Sequence, residues 1–164
     1  MRKYHVMIAA LVVLGDRISK WLVAQRIILY DHVEVVPGWF RLTHVQNQGA
    51  AFGLFSESPS ELKAAMLILF SVAALAVVSL LLWKNGNALN STAVALSLVF
   101  GGALGNLWDR VANGRVIDFL DFNWGSHHWP AFNFADSAIV VGAAMLLAEI
   151  LLAPQEKKET AVSS

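Results

Sequence analysis

Cysteine is absent from this 164-residue chain, and charged residues make up only 15% of it. Without cysteine there is no disulfide framework, no thiolate metal site and no cysteine nucleophile. The 12 Lys and Arg residues balance the 12 Asp and Glu residues, so the formal net charge is zero. No basic field is available for nucleic acid, and no acidic arm is present, so we expect no nucleic-acid partner.

Apolar residues, in contrast, are in excess. They form 57% of the chain, and the mean hydropathy is +0.56. A compact soluble domain needs fewer apolar residues than this to fill its core. The composition therefore predicts that this protein has a lipid bilayer as its solvent.

Four segments are long and apolar enough to span a hydrocarbon core as helices of about 20 residues. They cover about 5–29, 61–83, 91–109 and 132–153. The first imitates a signal peptide, but no small-residue cleavage site follows its apolar run, so a retained helix is favoured. The sequence predicts an all-α polytopic membrane protein with four transmembrane helices. Its single domain covers 1–154, and 155–164 is expected to be a disordered cytoplasmic tail.

We expect both termini in the cytoplasm, because Arg2-Lys3 and Lys157-Lys158 then lie on the same inner side. This leaves two outer segments, at 30–60 and 110–131. β-branched and aromatic residues around Pro37-Gly38 predict a short extracytoplasmic β-hairpin or cradle in the first of them. It leads into the small-residue stretch 47–53, where backbone can approach a ligand closely. An ordinary connecting loop explains that stretch equally well.

Polar residues interrupt the first and third helices. Asp16 and Lys20 are four residues apart, which suits an intrahelical ion pair. This pair either fixes the first helix against its neighbours or contacts a substrate. In the third helix, two stripes with a spacing of four residues run from small to polar: Gly101, Gly105 and Asp109, and Gly102, Asn106 and Arg110. Glycines let a second helix come close, whereas the three polar residues need partners at membrane depth.

Two aspartates carry the strongest functional signal: Asp118 in Gly-Arg-Val-Ile-Asp-Phe and Asp136 in Phe-Asn-Phe-Ala-Asp-Ser. An ionisable residue beside hydrocarbon is costly enough to suggest a function. The two lie 18 residues apart across an outer loop, with Asn133 predicted on the same helix face as Asp136. If they meet, like charges prevent both from ionising readily. One would then act as general acid and the other as general base, without a covalent intermediate.

Other hydrolytic chemistries find less support. The five histidines include no His-Glu-x-x-His pair, and His127 and His128 are neighbours that suit an exposed loop. Glu149 fits a carboxylate at the inner leaflet. The competing class is a small proton-coupled carrier or channel subunit whose intramembrane acids relay protons. A subunit with only an assembly role is a third, weaker option.

Five motifs together resemble the lipoprotein signal peptidase family, also called signal peptidase II. In order they are Asp16-x-x-x-Lys20, Asn47-x-Gly-Ala-Ala-Phe-Gly53, Gly105-Asn-x-x-Asp-Arg110, Val116-x-Asp-Phe119 and Phe132-Asn-x-Ala-Asp136. The resemblance implies an aspartic endopeptidase of the bacterial inner membrane and a target of globomycin. Such an enzyme cuts prolipoproteins on the amino side of a diacylglyceryl-modified cysteine at the extracytoplasmic face. It uses no metal or organic cofactor.

The resemblance makes Asp118 and Asp136 the catalytic pair, with Asp121 as the rival to Asp118. It assigns the following residues to lining or supporting the site: Asp16, Lys20, Asn47, Gly49, Asn106, Asp109, Arg110, Asn133 and Ala135. Arg110 would contact a lipid phosphate or orient a carboxylate. Trp39 and Trp124 would anchor the outer segments at the interface. The expected partners are diacylglyceryl-prolipoproteins and membrane lipid, with the enzyme as a monomer.

Overall fold

The computed structural model describes residues 3–49, 60–86, 90–125 and 127–152. Within these ranges lie four helices: α1 (Lys3–Arg26), α2 (Ser60–Lys84), α3 (Ser91–Asn113) and α4 (Phe134–Leu152). The predicted helices are thus found, with their ends shifted by a few residues. The part of the small-residue stretch after Gly49, the tail at 155–164 and the terminal basic clusters other than Lys3 lie outside the described residues.

Three of the described helices, α2, α3 and α4, are long and apolar enough to cross a membrane. The first predicted span corresponds to α1, which is 24 residues long but carries more charge. In α3, Asn90 caps the amino end by accepting a hydrogen bond from Ala93 N, and Gly114 ends the helix in the left-handed conformation. These caps explain why α3 continues past the predicted residue 109.

A four-stranded antiparallel sheet accompanies the helices, so the β-structure extends beyond the predicted hairpin. Its first two strands, β1 (His32–Val36) and β2 (Phe40–Asn47), form the predicted hairpin. The other two, β3 (Val116–Trp124) and β4 (His127–His128), fall in the segment predicted as an outer loop. In β3, buried and half-buried positions do not alternate regularly, so a period of two was hard to recognise. Its pairing partner β2 is also distant in sequence.

Helix α3 is central and packs against α1, α2 and α4. Its glycines explain how: a Cβ on Gly101 would lie 2.8 Å from the Ala9 carbonyl oxygen of α1, and one on Gly102 would lie 2.4 Å from the Ala135 carbonyl oxygen of α4. The predicted close helix approach is therefore confirmed. It brings the polar ends of α1, α3 and α4 together.

A small apolar cluster fixes the sheet over the carboxyl end of α1. Val23 of α1 and Ile27 just after it are buried against Phe119 of β3, with Leu42 of β2 packed alongside. Because this cluster holds Phe119, the preceding residue in the strand, Asp118, lies close to the polar ends of the helices.

Candidate active site

The connection between β3 and α4 folds back on itself. Phe132 pairs with Leu120 as an isolated β-bridge; its carbonyl accepts hydrogen bonds from Phe119 N at 3.0 Å and Leu120 N at 2.8 Å, and its own N–H donates to Leu120 O at 3.0 Å. This places the start of α4 beside the strand that carries Asp118. Asp118 and Asp136, hereafter the aspartate pair, are therefore brought to one site as predicted.

Asn133 joins the two aspartates. Its side-chain oxygen accepts a hydrogen bond from Asp136 N at 2.9 Å, and its own N–H donates to Asp136 Oδ2 at 3.2 Å. These two bonds form a reciprocal cap of α4. Asn133 therefore precedes the helix, whereas the sequence analysis predicted it on the helix face that carries Asp136. Its side-chain amide donates to Asp118 Oδ1 at 2.7 Å. One asparagine therefore fixes the positions of both carboxylates.

The second oxygen of Asp118 is held from β2. Asn47 Nδ2 donates to Asp118 Oδ2 at 2.8 Å, while Asn47 Oδ1 accepts from Gly49 N at 2.7 Å. Gly49 has a φ of 96°, and a Cβ there would lie 2.0 Å from Leu67 Cδ1. A larger residue here would have to displace the end of the Leu67 side chain, and the positive φ itself favours glycine. The predicted small-residue stretch thus contains a glycine, Gly49, that orients Asn47.

The other oxygen of Asp136 accepts a hydrogen bond from a residue of α3. Asn106 Nδ2 donates to Asp136 Oδ1 at 2.7 Å. Asn106 Oδ1 in turn accepts from Asn133 Nδ2 at 3.3 Å and from Lys20 Nζ at 3.2 Å. Since both acceptor contacts lie on the oxygen, the amide nitrogen of Asn106 is directed to Asp136.

Behind Asn106 lies a charge cluster made of the buried residues Asp16, Lys20 and Asp109 and the partly exposed Arg17. Lys20 Nζ donates to Asp16 Oδ2 at 2.8 Å and to Asp109 Oδ2 at 2.7 Å, so the predicted intrahelical pair is present. Asp16 Oδ1 also accepts from the backbone N–H of Ala135 at 3.1 Å. The cluster fixes α1 against α3 and α4. It is also connected to Asp136 through the side-chain amide of Asn106.

The sequence interpretation missed the role of Arg17, which forms an ion pair with Asp109 and is 39% exposed. The two lie 92 residues apart, and neither has a motif that links them. The reciprocal cap at Asn133 could have been found, because an acidic residue three positions after an asparagine is a known cap signal.

A cavity of about 860 Å³ opens onto the aspartate pair. Asp118, Asp136, Asn47 and Arg110 line it, and Arg110 interacts electrostatically with both aspartates. Among the described residues, no group of three or more His, Asp or Glu side chains is placed to hold a metal ion. The cavity offers two acids, one cation and hydrogen-bonding amides to a bound molecule.

Asp121, the rival to Asp118, does not line this cavity. Its carboxylate contacts Arg41 Nε at 2.5 Å and His128 Nε2 at 2.8 Å, within the sheet. His127 and His128 are exposed, as predicted. Trp39 and Trp124 are also exposed and stack on each other, with ring centroids 5.4 Å apart. Asp121 therefore supports the sheet and the site contains Asp118.

Burial raises the pKa of Asp118 to about 6. Among the smaller effects, the negative charge of Asp136 also raises this pKa, whereas the hydrogen bonds from Asn47 and Asn133 and the charge of Lys20 lower it. Asp118 lies in β3, outside the membrane-spanning helices. Its carboxyl group consequently changes protonation state close to neutral pH.

This shift predicts a pH-dependent stability. The folded pKa of about 6 exceeds the ordinary pKa of 3.8 for an aspartate side chain, so the fold binds this proton more tightly than the unfolded chain does. Ionised Asp118 then destabilises the fold by on the order of 3 kcal/mol above pH 6, and this penalty disappears as the pH falls towards 4. Thermal unfolding in detergent measures it as the difference between wild type and Asp118→Asn. We expect Asp118→Asn to be relatively more stable at pH 8 than at pH 4.5; equal differences at both pH values would contradict the shift.

Comparison with known proteins reveals extensive similarity. The family model described as Signal peptidase (SPase) II matches residues 8–152. The chain is 41% identical over 144 residues to the lipoprotein signal peptidase of Solibacter usitatus, covering 88% of each protein. It is 40% identical over 158 residues to that of Symbiobacterium thermophilum, covering 95% of this chain and 98% of the relative.

The fold is similar to a solved structure as well. A structure described as a bacterial membrane enzyme superposes with a TM-score of 0.82 at 32% sequence identity, covering 98% of this chain and 95% of the other. A second structure with the same description gives a TM-score of 0.81, also at 32% identity. The arrangement of helices and sheet around the cavity is thus that of a known membrane enzyme.

Proposed function

Because the chain belongs to the signal peptidase II family of membrane proteases, we propose that it removes signal peptides from bacterial prolipoproteins by means of an aspartate pair. The cut falls on the amino side of a diacylglyceryl-modified cysteine. The observation that carries the mechanism is Asn133, which holds Asp118 and Asp136 beside one cavity. The family and its membrane helices make this a protein of the bacterial inner membrane.

Helix α1 is proposed as the fourth span. At about 1.5 Å per residue its 24 residues reach across a hydrocarbon core. Its charged residues Asp16 and Lys20 are buried against other helices, whereas Leu11, Ile18 and Trp21 are exposed. This distribution, with polar side chains inside and apolar ones outside, suits a helix surrounded by lipid.

Four spans put both termini on the same side, which we assign to the cytoplasm because of the terminal basic clusters. The sheet and the aspartate pair then lie at the extracytoplasmic face. A prolipoprotein with its acyl chains in the bilayer presents its cysteine at that depth. Membrane lipid and the lipidated substrate are the partners, and the enzyme acts as a monomer.

In the proposed reaction, ionised Asp136 takes a proton from water as the water oxygen bonds to the scissile carbonyl carbon. Protonated Asp118, whose pKa is about 6, gives its proton to the carbonyl oxygen and forms a neutral tetrahedral diol. Collapse of the diol breaks the C–N bond, with the proton on Asp136 passing to the leaving nitrogen and one hydroxyl proton returning to Asp118. Atoms and protons balance, and no covalent intermediate is needed.

Other site residues position this chemistry. Asn47 and Asn133 fix Asp118, while Asn106 and Asn133 fix Asp136. The charge cluster with Asp16, Lys20 and Asp109, together with Ala135 N–H, holds Asn106 and the start of α4. Arg110 is assigned to orienting the carboxylates, because it interacts electrostatically with both of them.

Cleavage of a lipidated substrate tests this function. Purified protein is incubated with a prolipoprotein carrying diacylglyceryl cysteine and with the same chain unmodified. We expect cleavage of the lipidated form only, at the bond before the cysteine, as read by mass spectrometry of both products.

The competing carrier function is tested in the same preparation. Proton flux across proteoliposomes without any peptide cleavage would favour the carrier and contradict the proposal. Equal cleavage of both substrate forms would retain a peptidase but reject lipid recognition.

A further inference from the structure

Tyr30 has a backbone conformation that tyrosine rarely adopts. Its φ is 66°, and among the described residues it is the one non-glycine residue with a positive φ. The left-handed region brings Cβ close to the following carbonyl oxygen, so it favours glycine and, less strongly, asparagine. Such strain persists only where surrounding structure imposes it, and it is concentrated at functional sites.

Backbone hydrogen bonds impose the conformation here. Tyr30 N donates to His44 O at 2.8 Å, and the carbonyl oxygen of Asp31 accepts a hydrogen bond from His44 N at 3.0 Å. Asp31 N donates back to Ile28 O at 2.9 Å. The side chains of β2 add to these bonds, since His44 Nδ1 contacts Ile27 O at 2.9 Å and Thr43 Oγ1 donates to Asp31 O at 3.2 Å. The turn thus joins the end of α1 to β2 without using the side chain of Tyr30. Any residue that tolerates a positive φ would form it.

The tyrosine side chain is not needed for this turn, and it is not part of the core. It is 71% exposed, yet it lines the cavity that holds Asp118 and Asp136. A strained aromatic residue therefore stands at the cavity with its ring available to a ligand. An aromatic ring with a polar tip suits a binding surface that is partly wet.

We infer that Tyr30 is a substrate-binding residue that contacts the peptide chain of the prolipoprotein beside the scissile bond; this rests on the proposed function. The cavity has two sides. Val140, one turn after Asp136 in α4, lines it from the helix side, which faces the acyl chains in the proposed topology. Tyr30 lies after α1, beside β2 and outside the helices. Its ring is therefore placed to contact peptide and not acyl chain.

Two substitutions that suit the backbone test this role, Tyr30→Gly and Tyr30→Asn. Both relieve the strain, so the midpoint of thermal unfolding should stay at the wild-type value or rise. We expect KM for a lipidated peptide to rise about 3- to 10-fold with kcat within about twofold of wild type, because a contact made equally in ground and transition states is lost. Tyr30→Phe is the matched control and should keep KM near wild type, since it retains the ring.

Substrate length distinguishes the two parts of the ligand. Truncating the peptide around the cysteine should abolish the KM difference between wild type and Tyr30→Gly, whereas shortening the acyl chains should leave it. The reverse pattern would assign the ring to the lipid and overturn the inference. It would also be overturned by an unchanged KM in both variants, or by a clear loss of thermal stability. If wild type cleaves no prolipoprotein at all, the proposed function itself has failed.

Discussion

Replacing Asp118 or Asp136 with asparagine is expected to lower the rate of prolipoprotein cleavage by about 10²- to 10⁴-fold, the usual contribution of a positioned general acid or base. Each substitution keeps the size of the side chain but leaves only one member of the aspartate pair able to exchange a proton. Each also retains one oxygen to accept from the neighbouring amides, Asn133 above all. The fold should therefore persist.

Asp121→Asn is the matched control. Asp121 lies on the same strand as Asp118 and is equally buried, at 2% against 3% exposure. Its partners Arg41 and His128 are partly exposed and can be solvated when the carboxylate is removed. We expect this variant to lose some thermal stability but to keep its cleavage rate per folded molecule. Initial rates, normalised to the folded fraction, measure all three variants.

Two results would reject the mechanism. One is full cleavage by folded Asp118→Asn or Asp136→Asn. The other is a loss in Asp121→Asn as large as in Asp118→Asn, which would make the rival aspartate part of the reaction. Substitutions of residues that act as a unit have non-additive effects on the rate. The double variant, with both Asp118→Asn and Asp136→Asn, should therefore be hardly slower than either single variant.

Long apolar runs made the helices predictable, since a transmembrane helix requires about 20 apolar residues and few other structural elements do. The aspartate pair was predictable because its members stand in distinct polar motifs only 18 residues apart. Strand β3 was not, because its buried residues include Asp118 and Asp121, which obscure an apolar pattern. Its partner is chosen by tertiary packing on Val23 and Ile27.

Contacts between distant residues escaped prediction for the same reason. Nothing local indicates that Arg17 pairs with Asp109, or that Lys20 reaches Asn106 86 residues away. The strain at Tyr30 depends on hydrogen bonds with His44 of β2, which exist only once the sheet has docked on α1. The sequence motifs contain most of the polar residues that the fold brings together, whereas the hydrogen bonds between these residues required the fold.

Replacing Lys20 with methionine is expected to impair both stability and chemistry. Lys20 is 2% exposed, and its ammonium group satisfies Asp16, Asp109 and Asn106. Removing it leaves Asp16 buried without its cation, which typically destabilises a protein by about 3–5 kcal/mol. The fraction that folds should cleave about tenfold more slowly, since Asn106 loses the charged donor that directs its amide to Asp136.

A pH profile separates this positioning role from a purely structural one. The positive charge of Lys20 lowers the pKa of Asp118, so its loss raises that pKa. The reaction needs one proton on the aspartate pair, and cleavage falls as that proton leaves above pH 6. The decline should therefore move to higher pH in Lys20→Met. Asp16→Asn added to this variant should restore stability without restoring the wild-type profile.

Arg17→Gln is the control for the loss of a cation from the same cluster. Arg17 also pairs with Asp109, but it is 39% exposed. It hydrogen-bonds to Asp109, whereas Lys20 also reaches Asn106. Asp109 keeps Lys20 as its cation when Arg17 is replaced, so this variant should lose less stability than Lys20→Met and keep an unchanged pH profile. If Lys20→Met and Arg17→Gln give the same profile as wild type, Lys20 only packs α1 against α3. If both shift it alike, the aspartate pair responds to the total charge of the cluster and not to the Lys20–Asn106 hydrogen bond.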